Sequence, residues 1–247
     1  MASLHWREPR FLRCRRCGVL FRHPLPTEAA LAELYTTGWR NNRHTETGGT
    51  DAEIARILVE RLSELLPGRR FLNTRILDYG AGRGAVALEL MKVGANIAAV
   101  EPFGCEFLTS LGITAYRDLA QLPEGSQFDG IVCLDVVEHL REPRRALADL
   151  YRRLSSQGWL LIQTPNIASL PAMLKGRHWH EATIPGHLVL FTPAALRKAL
   201  RESGFRRVRR LRWVIHYPRA SLLRALVHSG MQALAIGGNM HMVAYRN

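Results

Sequence analysis

The stretch Ile76-Leu77-Asp78-Tyr79-Gly80-Ala81-Gly82-Arg83-Gly84 constrains the fold more than any other part of the chain. Two aliphatic residues run into an aspartate, and glycine then takes every second position. Val86, Leu88, Leu90 and Met91 supply apolar positions of a helix that starts at once. That order is a buried strand, a tight turn and a helix start. Glycine is needed where the backbone takes positive φ or must come close to a ligand. The free N–H groups at a helix N-terminus suit a polar or anionic group. The turn therefore predicts the nucleotide-binding corner of an α/β sheet. Gly80, Gly82 and Ala85 also fit the looser G-x-G-x-x-A pattern, which discriminates little by itself. Two acids discriminate better. Asp78 closes the strand where dinucleotide folds carry an aliphatic residue, and Glu101 ends the next apolar strand, Ile97-Ala98-Ala99-Val100. A carboxylate there can accept hydrogen bonds from both hydroxyls of a ribose, whether of NAD or of another adenosine ligand.

With 247 residues, 47% of them hydrophobic, the chain can build one full domain and a small appendage. No apolar run approaches the ~20 residues of a membrane span. Met1 to Arg10 lacks the apolar core of a secretory signal, so a soluble cytoplasmic protein is expected. The formal net charge is +13, carried by arginine, with lysine only at Lys92, Lys175 and Lys198. That balance suits nucleic acid, anionic lipid or an acidic substrate. The arginines gather at 7–22 and 206–212, but no aromatic-plus-basic nucleic-acid module accompanies them. A compositional preference for arginine over lysine is the favoured reading, and nucleic acid remains the less favoured partner. Of the four cysteines, Cys105 and Cys133 fall on a helix start and a strand, as small buried apolar groups.

Cys14-Arg15-Arg16-Cys17-Gly18 has the shape of one zinc knuckle. A structural zinc needs four ligands, and no spacing recruits His5, His23 or His44, so a remnant without metal is expected. Thr27 is a fitting N-cap for a short helix from Glu28 to Tyr35. Residues 36–50 are polar and glycine-rich and predict a loop able to lie over a cofactor mouth. Thr50-Asp51-Ala52-Glu53 has the form of a capping box with Thr50 as N-cap. The division is thus an extension over 1–50 and a main domain over 51–247. After the glycine corner, strands near 96–101, 113–116, 128–135, 159–163 and 240–245 alternate with helices. Pro143 and Thr192-Pro193 open two of the helices, and Ser203-Gly204 ends one. Alternation with short loops means a mostly parallel sheet covered by helices on both faces. Residues 164–187, with three histidines and Trp179, form a long insertion expected to cover an acceptor pocket.

From Ile76 to Gly204 these motifs resemble the class I S-adenosyl-L-methionine-dependent methyltransferases. The branch is the one whose strand-four motif reads D-x-x-E-H, here Asp135-Val136-Val137-Glu138-His139. His187-Leu188-Val189-Leu190-Phe191-Thr192-Pro193 fits the same branch. The Cys14/Cys17 segment, with Pro24, Pro26 and Leu34-Tyr35, is similar to a zinc-ribbon extension that has lost its first cysteine pair. The resemblance implies a Rossmann-like α/β fold with a seven-stranded, mostly parallel sheet whose last strand is antiparallel. It implies S-adenosyl-L-methionine as cofactor. The corner, Asp78 with Gly80, Ala81, Gly82 and Gly84, would line its methionine end, and Glu101 would hold the ribose. Asp118 and Leu119 would border the adenine, with Leu134 and Asp135 beside the sulfonium. Arg83 stands where the family often has a small polar residue. The turn acts mainly through its backbone, so binding should survive.

Methyl transfer from a sulfonium is an in-line displacement, and most of its catalysis can come from alignment. A hydroxyl nucleophile also needs a base, and histidine suits that role near neutral pH. His139 is the first candidate and His187 the second. Asp135, Glu138, His139 and His187 could instead gather round a divalent cation, as the E-x-x-E-H segments of small-RNA 2′-O-methyltransferases and quinone-pathway O-methyltransferases suggest. A structural role for Glu138 and His139, with no metal, is the favoured reading. The expected function is O-methylation of a small-molecule acceptor. The rivals are an NAD(P)-dependent oxidoreductase and a non-catalytic RNA- or lipid-associated protein on the same scaffold.

Overall fold

The computed structural model describes residues 10–41, 48–66, 71–213 and 229–247. The chain opens with a hairpin, β1 (Arg10–Arg13) and β2 (Leu20–His23), followed by helices α1 (Glu28–Asn41) and α2 (Gly48–Leu65). The main domain then alternates: β3 (Arg75–Tyr79), α3 (Ala85–Lys92), β4 (Asn96–Val100), α4 (Cys105–Ser110), β5 (Thr114–Tyr116), β6 (Phe128–Leu134), α5 (Pro143–Arg153) and β7 (Leu154–Pro165). The remainder comprises α6 (Leu170–Lys175), α7 (His180–Thr183), β8 (Val189–Leu190), α8 (Pro193–Glu202), β9 (Arg207–Leu211) and β10 (Asn239–Tyr245).

Seven strands form one sheet in the order β5-β4-β3-β6-β7-β10-β9. The first five are parallel, and β10 is antiparallel to both β7 and β9. The last strand is therefore the one that runs against the rest, as expected. Strand order runs outward from β3 to β5, then returns to place β6 on the other side of β3. The crevice beyond the C-terminal ends of β3 and β6 is the switch point where open α/β sheets bind ligands.

Side chains alternate between the two faces along each strand. Ile76, Val132 and Leu161 join Leu58, Leu62 and Leu90 of α2 and α3 in one core. Leu77, Ile131, Leu160 and Ile162 join Leu147, Leu150, Leu196 and Leu200 of α5 and α8 in the other. A sheet buried on both faces explains why its strands are nearly all apolar. Gly130 marks a close approach within it, because a Cβ there would lie 2.1 Å from the ring of Trp159 on β7.

The caps at Thr27, Pro143 and Thr192 are as predicted. Thr27 and Thr192 accept from the N–H groups of Ala30 and Ala195, and Pro143 opens α5. Three expectations change. The first helix continues past Tyr35 to Asn41, and α2 starts at Gly48, so most of the expected 36–50 loop is helical. One interior glycine, Gly38, costs a helix only about 1 kcal/mol, which the rest of α1 tolerates. Thr50 lies inside α2 and is not its N-cap. Cys105 is half-buried, whereas Cys133 is buried as expected. His5 and His44 lie outside the described residues.

The extension is bound into the main domain. Strand β2 pairs with β8, Leu20 opposite Leu190 and Phe21 opposite Val189, making a three-stranded sheet. Phe11 and Leu20 pack on Trp179 and Leu190. Among the described residues no helix is long and apolar enough to cross a membrane.

Candidate active site

The glycine corner follows β3, and its three glycines all have positive φ: 79° at Gly80, 52° at Gly82 and 77° at Gly84. Their surroundings differ. A Cβ on Gly80 would lie 2.3 Å from Val136 Cγ2, and one on Gly84 would lie 2.8 Å from Leu108 and 2.9 Å from Ile113. Gly82 has nothing within 4 Å of that position. So Gly80 and Gly84 are glycine because the protein packs against them, and Gly82 faces open space. The N–H of Gly82 donates to Glu101 Oε2 at 3.0 Å, and that of Phe103 to Glu101 Oε1 at 3.2 Å. The carboxylate is therefore fixed beside the corner. Burial raises its pKa, and the two N–H donors oppose the rise. Asp78, at the end of β3, is buried, with Oδ2 lacking any partner. Burial pushes its pKa up to about 7, against a hydrogen bond from the Ala87 backbone and with the help of the Glu101 charge. An orphaned buried acid oxygen, open space over Gly82 and a fixed carboxylate suit a ligand that brings hydrogen-bond donors to the corner.

Across the crevice, β6 ends in a 3₁₀ turn, Val137–His139. Glu138 is fully buried. Its Oε2 accepts from Thr164 Oγ1 at 2.9 Å, and its Oε1 has no partner. Burial, then the charge of Asp135, pushes its pKa up to about 8. His139 Nδ1 lies 3.0 Å from the Gly186 carbonyl and 2.9 Å from the Tyr35 hydroxyl. His187 Nδ1 lies 2.8 Å from the Glu181 carbonyl. A carbonyl only accepts, so each Nδ1 carries the proton and each Nε2 keeps its lone pair. Burial lowers the pKa of His139 against the Gly186 bond. Burial and the neighbouring His139 take His187 down to about 4. Both shifts favour the neutral ring. The ring centroids are 4.7 Å apart, edge to face. Glu138, His139 and His187 each offer a ligand atom within 4.8 Å of the others.

Over residues 50–209 the sequence matches a family described as a methyltransferase domain. The chain belongs to that methyltransferase family. Curated relatives of the methyltransferase include ubiquinone biosynthesis O-methyltransferases. One from Rickettsia bellii is 27% identical over 38% of this chain and 43% of its own length. One from Maricaulis maris is 30% identical over 55% and 60%. The match thus spans less than two thirds of either relative. Among solved structures, a SAM-dependent methyltransferase of Thermotoga maritima aligns at TM-score 0.61 and 18% identity, over 86% of this chain and all of that one. The 1,6-didemethyltoxoflavin-N1-methyltransferase of Burkholderia thailandensis, bound to its substrate and S-adenosylhomocysteine, aligns at 0.58 and 16%, over 97% and 99%. These two likenesses establish the shared fold. The family match tells against the oxidoreductase alternative, and S-adenosyl-L-methionine is the expected cofactor.

In the methyltransferase, the structure brings Asp78, Gly80, Ala81, Gly82, Gly84 and Glu101 together at one corner. Asp118 serves its own turn, with Oδ1 accepting from Ala120 at 2.7 Å and Gln121 at 3.1 Å. Leu119 lines a cavity of about 660 Å³ with Tyr79, Leu140 and Ala146. Leu134 ends β6, and Asp135 follows with φ 53°, its Oδ2 accepting from Gln163 Nε2 at 2.7 Å. Asp135 is not part of the Glu138–His139–His187 group, although its charge still acts on Glu138. Residues 164–187 take in the end of β7, α6, a 3₁₀ turn and α7, and supply Thr164, Gly186 and His187 to the site. Among the described residues, Cys14 and Cys17 join no group of three or more metal-ligating side chains.

Sequence reasoning missed Tyr35, Arg22 and Gly186. Arg22 is buried and ties β2 to the insertion, with Nε donating to the His187 carbonyl at 3.0 Å and Nη2 to that of Ile184 at 2.8 Å. Nothing local in Leu20-Phe21-Arg22-His23 marks Arg22 as the buried residue.

Proposed function

We propose that the protein moves a methyl group from S-adenosyl-L-methionine to a hydroxyl of a small-molecule acceptor. The observation that carries this reading is the pair of neutral imidazoles, each with Nδ1–H anchored on a backbone carbonyl and Nε2 unprotonated, across the crevice from the cofactor corner. A hydroxyl held there could pass its proton to His139 Nε2 as the oxygen attacks the methyl carbon, with His187 as second acceptor. The names of the O-methyltransferase relatives favour oxygen as the nucleophile. In this reading Gly80 to Gly84 cradle the methionine end of the cofactor and Glu101 holds its ribose. Leu119 and Asp118 flank the adenine, and Leu134 and Asp135 border the sulfonium. Residues 51–247 act as the catalytic unit, with 1–50 as its appendage.

The three converging ligand atoms favour a second reading, in which Glu138, His139 and His187 hold a divalent cation. Such a cation would lower the pKa of the acceptor hydroxyl. The chain's own part is to present two imidazole nitrogens and the unpartnered Glu138 oxygen.

The test is methyl transfer from labelled S-adenosyl-L-methionine to a panel of catechols and phenols. Label appearing as an aryl ether, and falling roughly 100-fold or more in His139→Asn, supports the first reading. Label on nitrogen or carbon refutes it. Activity lost on EDTA treatment and restored by a divalent cation selects the second reading.

A further inference from the structure

We propose that Tyr35 is a positioning residue that holds His139 in the tautomer with Nε2 free. The inference rests on the reading of His139 as the base. Tyr35 belongs to α1, outside the family-matched stretch, and reaches His139 across 104 residues of sequence. Its hydroxyl, His139 Nδ1 and the Gly186 carbonyl form a closed triangle with edges of 2.9, 3.0 and 3.2 Å. The carbonyl has no proton to give. It therefore receives the phenol's hydrogen, and the phenol oxygen turns a lone pair to the imidazole N–H. Loss of the phenol oxygen leaves the imidazole one anchor in place of two.

Two further contacts fix the phenol. Its ring packs on Phe103 at 5.5 Å between centroids, and Phe103 donates its N–H to Glu101. Tyr35 thus rests on the segment that positions the ribose-binding acid while it holds the base. Gly186 permits the triangle. A Cβ at that position would lie 2.9 Å from the Tyr35 hydroxyl and 3.1 Å from His139 Nδ1.

The experiment is nitrogen-15 NMR of histidine-labelled full-length protein with S-adenosyl-L-homocysteine bound, with the His139 signals assigned by their loss in His139→Asn. The wild type should carry its proton on Nδ1. In Tyr35→Phe, which keeps the ring contact with Phe103, the ratio of Nδ1–H to Nε2–H should fall about fivefold, the effect of one hydrogen bond. S-adenosyl-L-homocysteine affinity should hold. Gly186→Ala should shift the ratio the same way by forcing the partners apart. A wild-type proton on Nε2, or a Tyr35→Phe spectrum identical to wild type, overturns the proposal. Failure of the proposed function is distinct: the tautomer shift would then occur in a protein that methylates no hydroxyl.

Discussion

Substituting alanine at Gly82 and at Gly80 should separate ligand approach from internal packing within one turn. Both glycines have positive φ, at 52° and 79°, where a side chain costs about 1–2 kcal/mol. At Gly82 the new methyl meets nothing within 4 Å. Reduced freedom of the unfolded chain returns about 0.4–1 kcal/mol, so the net loss should stay near 1 kcal/mol. For a domain of this size that is about 2–4 °C in melting temperature. At Gly80 the methyl would lie 2.3 Å from Val136 Cγ2, and overpacking adds about 1–3 kcal/mol. With the same return from the unfolded chain, the total is about 1–4.5 kcal/mol, or roughly 3–14 °C. Cofactor affinity should rank the other way. The methyl of Gly82→Ala projects into open space that the proposed reading gives to the ligand. S-adenosyl-L-homocysteine should bind at least about tenfold more weakly, a loss of some 1.4 kcal/mol. Thermal melts and calorimetric titrations on both variants provide the readouts. Wild-type affinity in Gly82→Ala, or equal stability of the two variants, would refute the reasoning.

Three further outcomes are expected. Glu101→Ala removes the acceptor of two backbone N–H groups and the proposed ribose ligand, so S-adenosyl-L-homocysteine affinity should fall by about 1.5–3 kcal/mol in calorimetry, while a change below twofold would exclude that role. Asp78 has its folded pKa raised from 3.8 to about 7, so its contribution to stability is complete below pH 4 and is lost as pH rises towards 7. Urea titrations of ligand-free protein should show wild type losing about 2–3 kcal/mol between pH 5 and 8 relative to Asp78→Asn, and parallel pH curves would contradict the burial of an unpaired acid. Arg22→Met should speed hydrogen exchange across residues 184–190, because two carbonyls lose their charged donor, and unchanged protection would show that β2–β8 pairing alone suffices.

The corner was legible because its cause is local. A turn with φ of 79°, 52° and 77° demands glycine, and the apolar residues flanking it identify strand and helix. Glu101 was legible for the same reason, as an acid ending an apolar strand. Strand β7 begins at Leu154, earlier than the apolar run from Trp159 suggested, because its first residues pair past an irregularity between Phe128 and Gly130. Sequence pattern gives no sign of such tertiary pairing. The insertion looked like a loop, yet Ser169 caps α6 through Ala172 and a proline follows it, a start signal hidden among histidines and glycines. Asp135 lies outside the Glu138–His139–His187 group and accepts from Gln163, an arrangement that its place in the motif does not reveal. Tyr35, Arg22 and Gly186 depend on contacts more than a hundred residues apart, except for Gly186 with His139 at 47. Local pattern cannot carry such contacts.

The β2–β8 pairing has a consequence for hybrids made by exchanging segments among relatives. A chimera keeping residues 50–209 from this chain and drawing its first 49 from a relative would inherit the glycine turn and Glu101 unchanged. It would also inherit a foreign strand against Val189 and Leu190, and a foreign residue in place of the phenol that meets His139. Such a hybrid should keep its affinity for the methyl donor while its opposite wall goes slack, because the cooperative unit reaches beyond the stretch that sequence matching delimits.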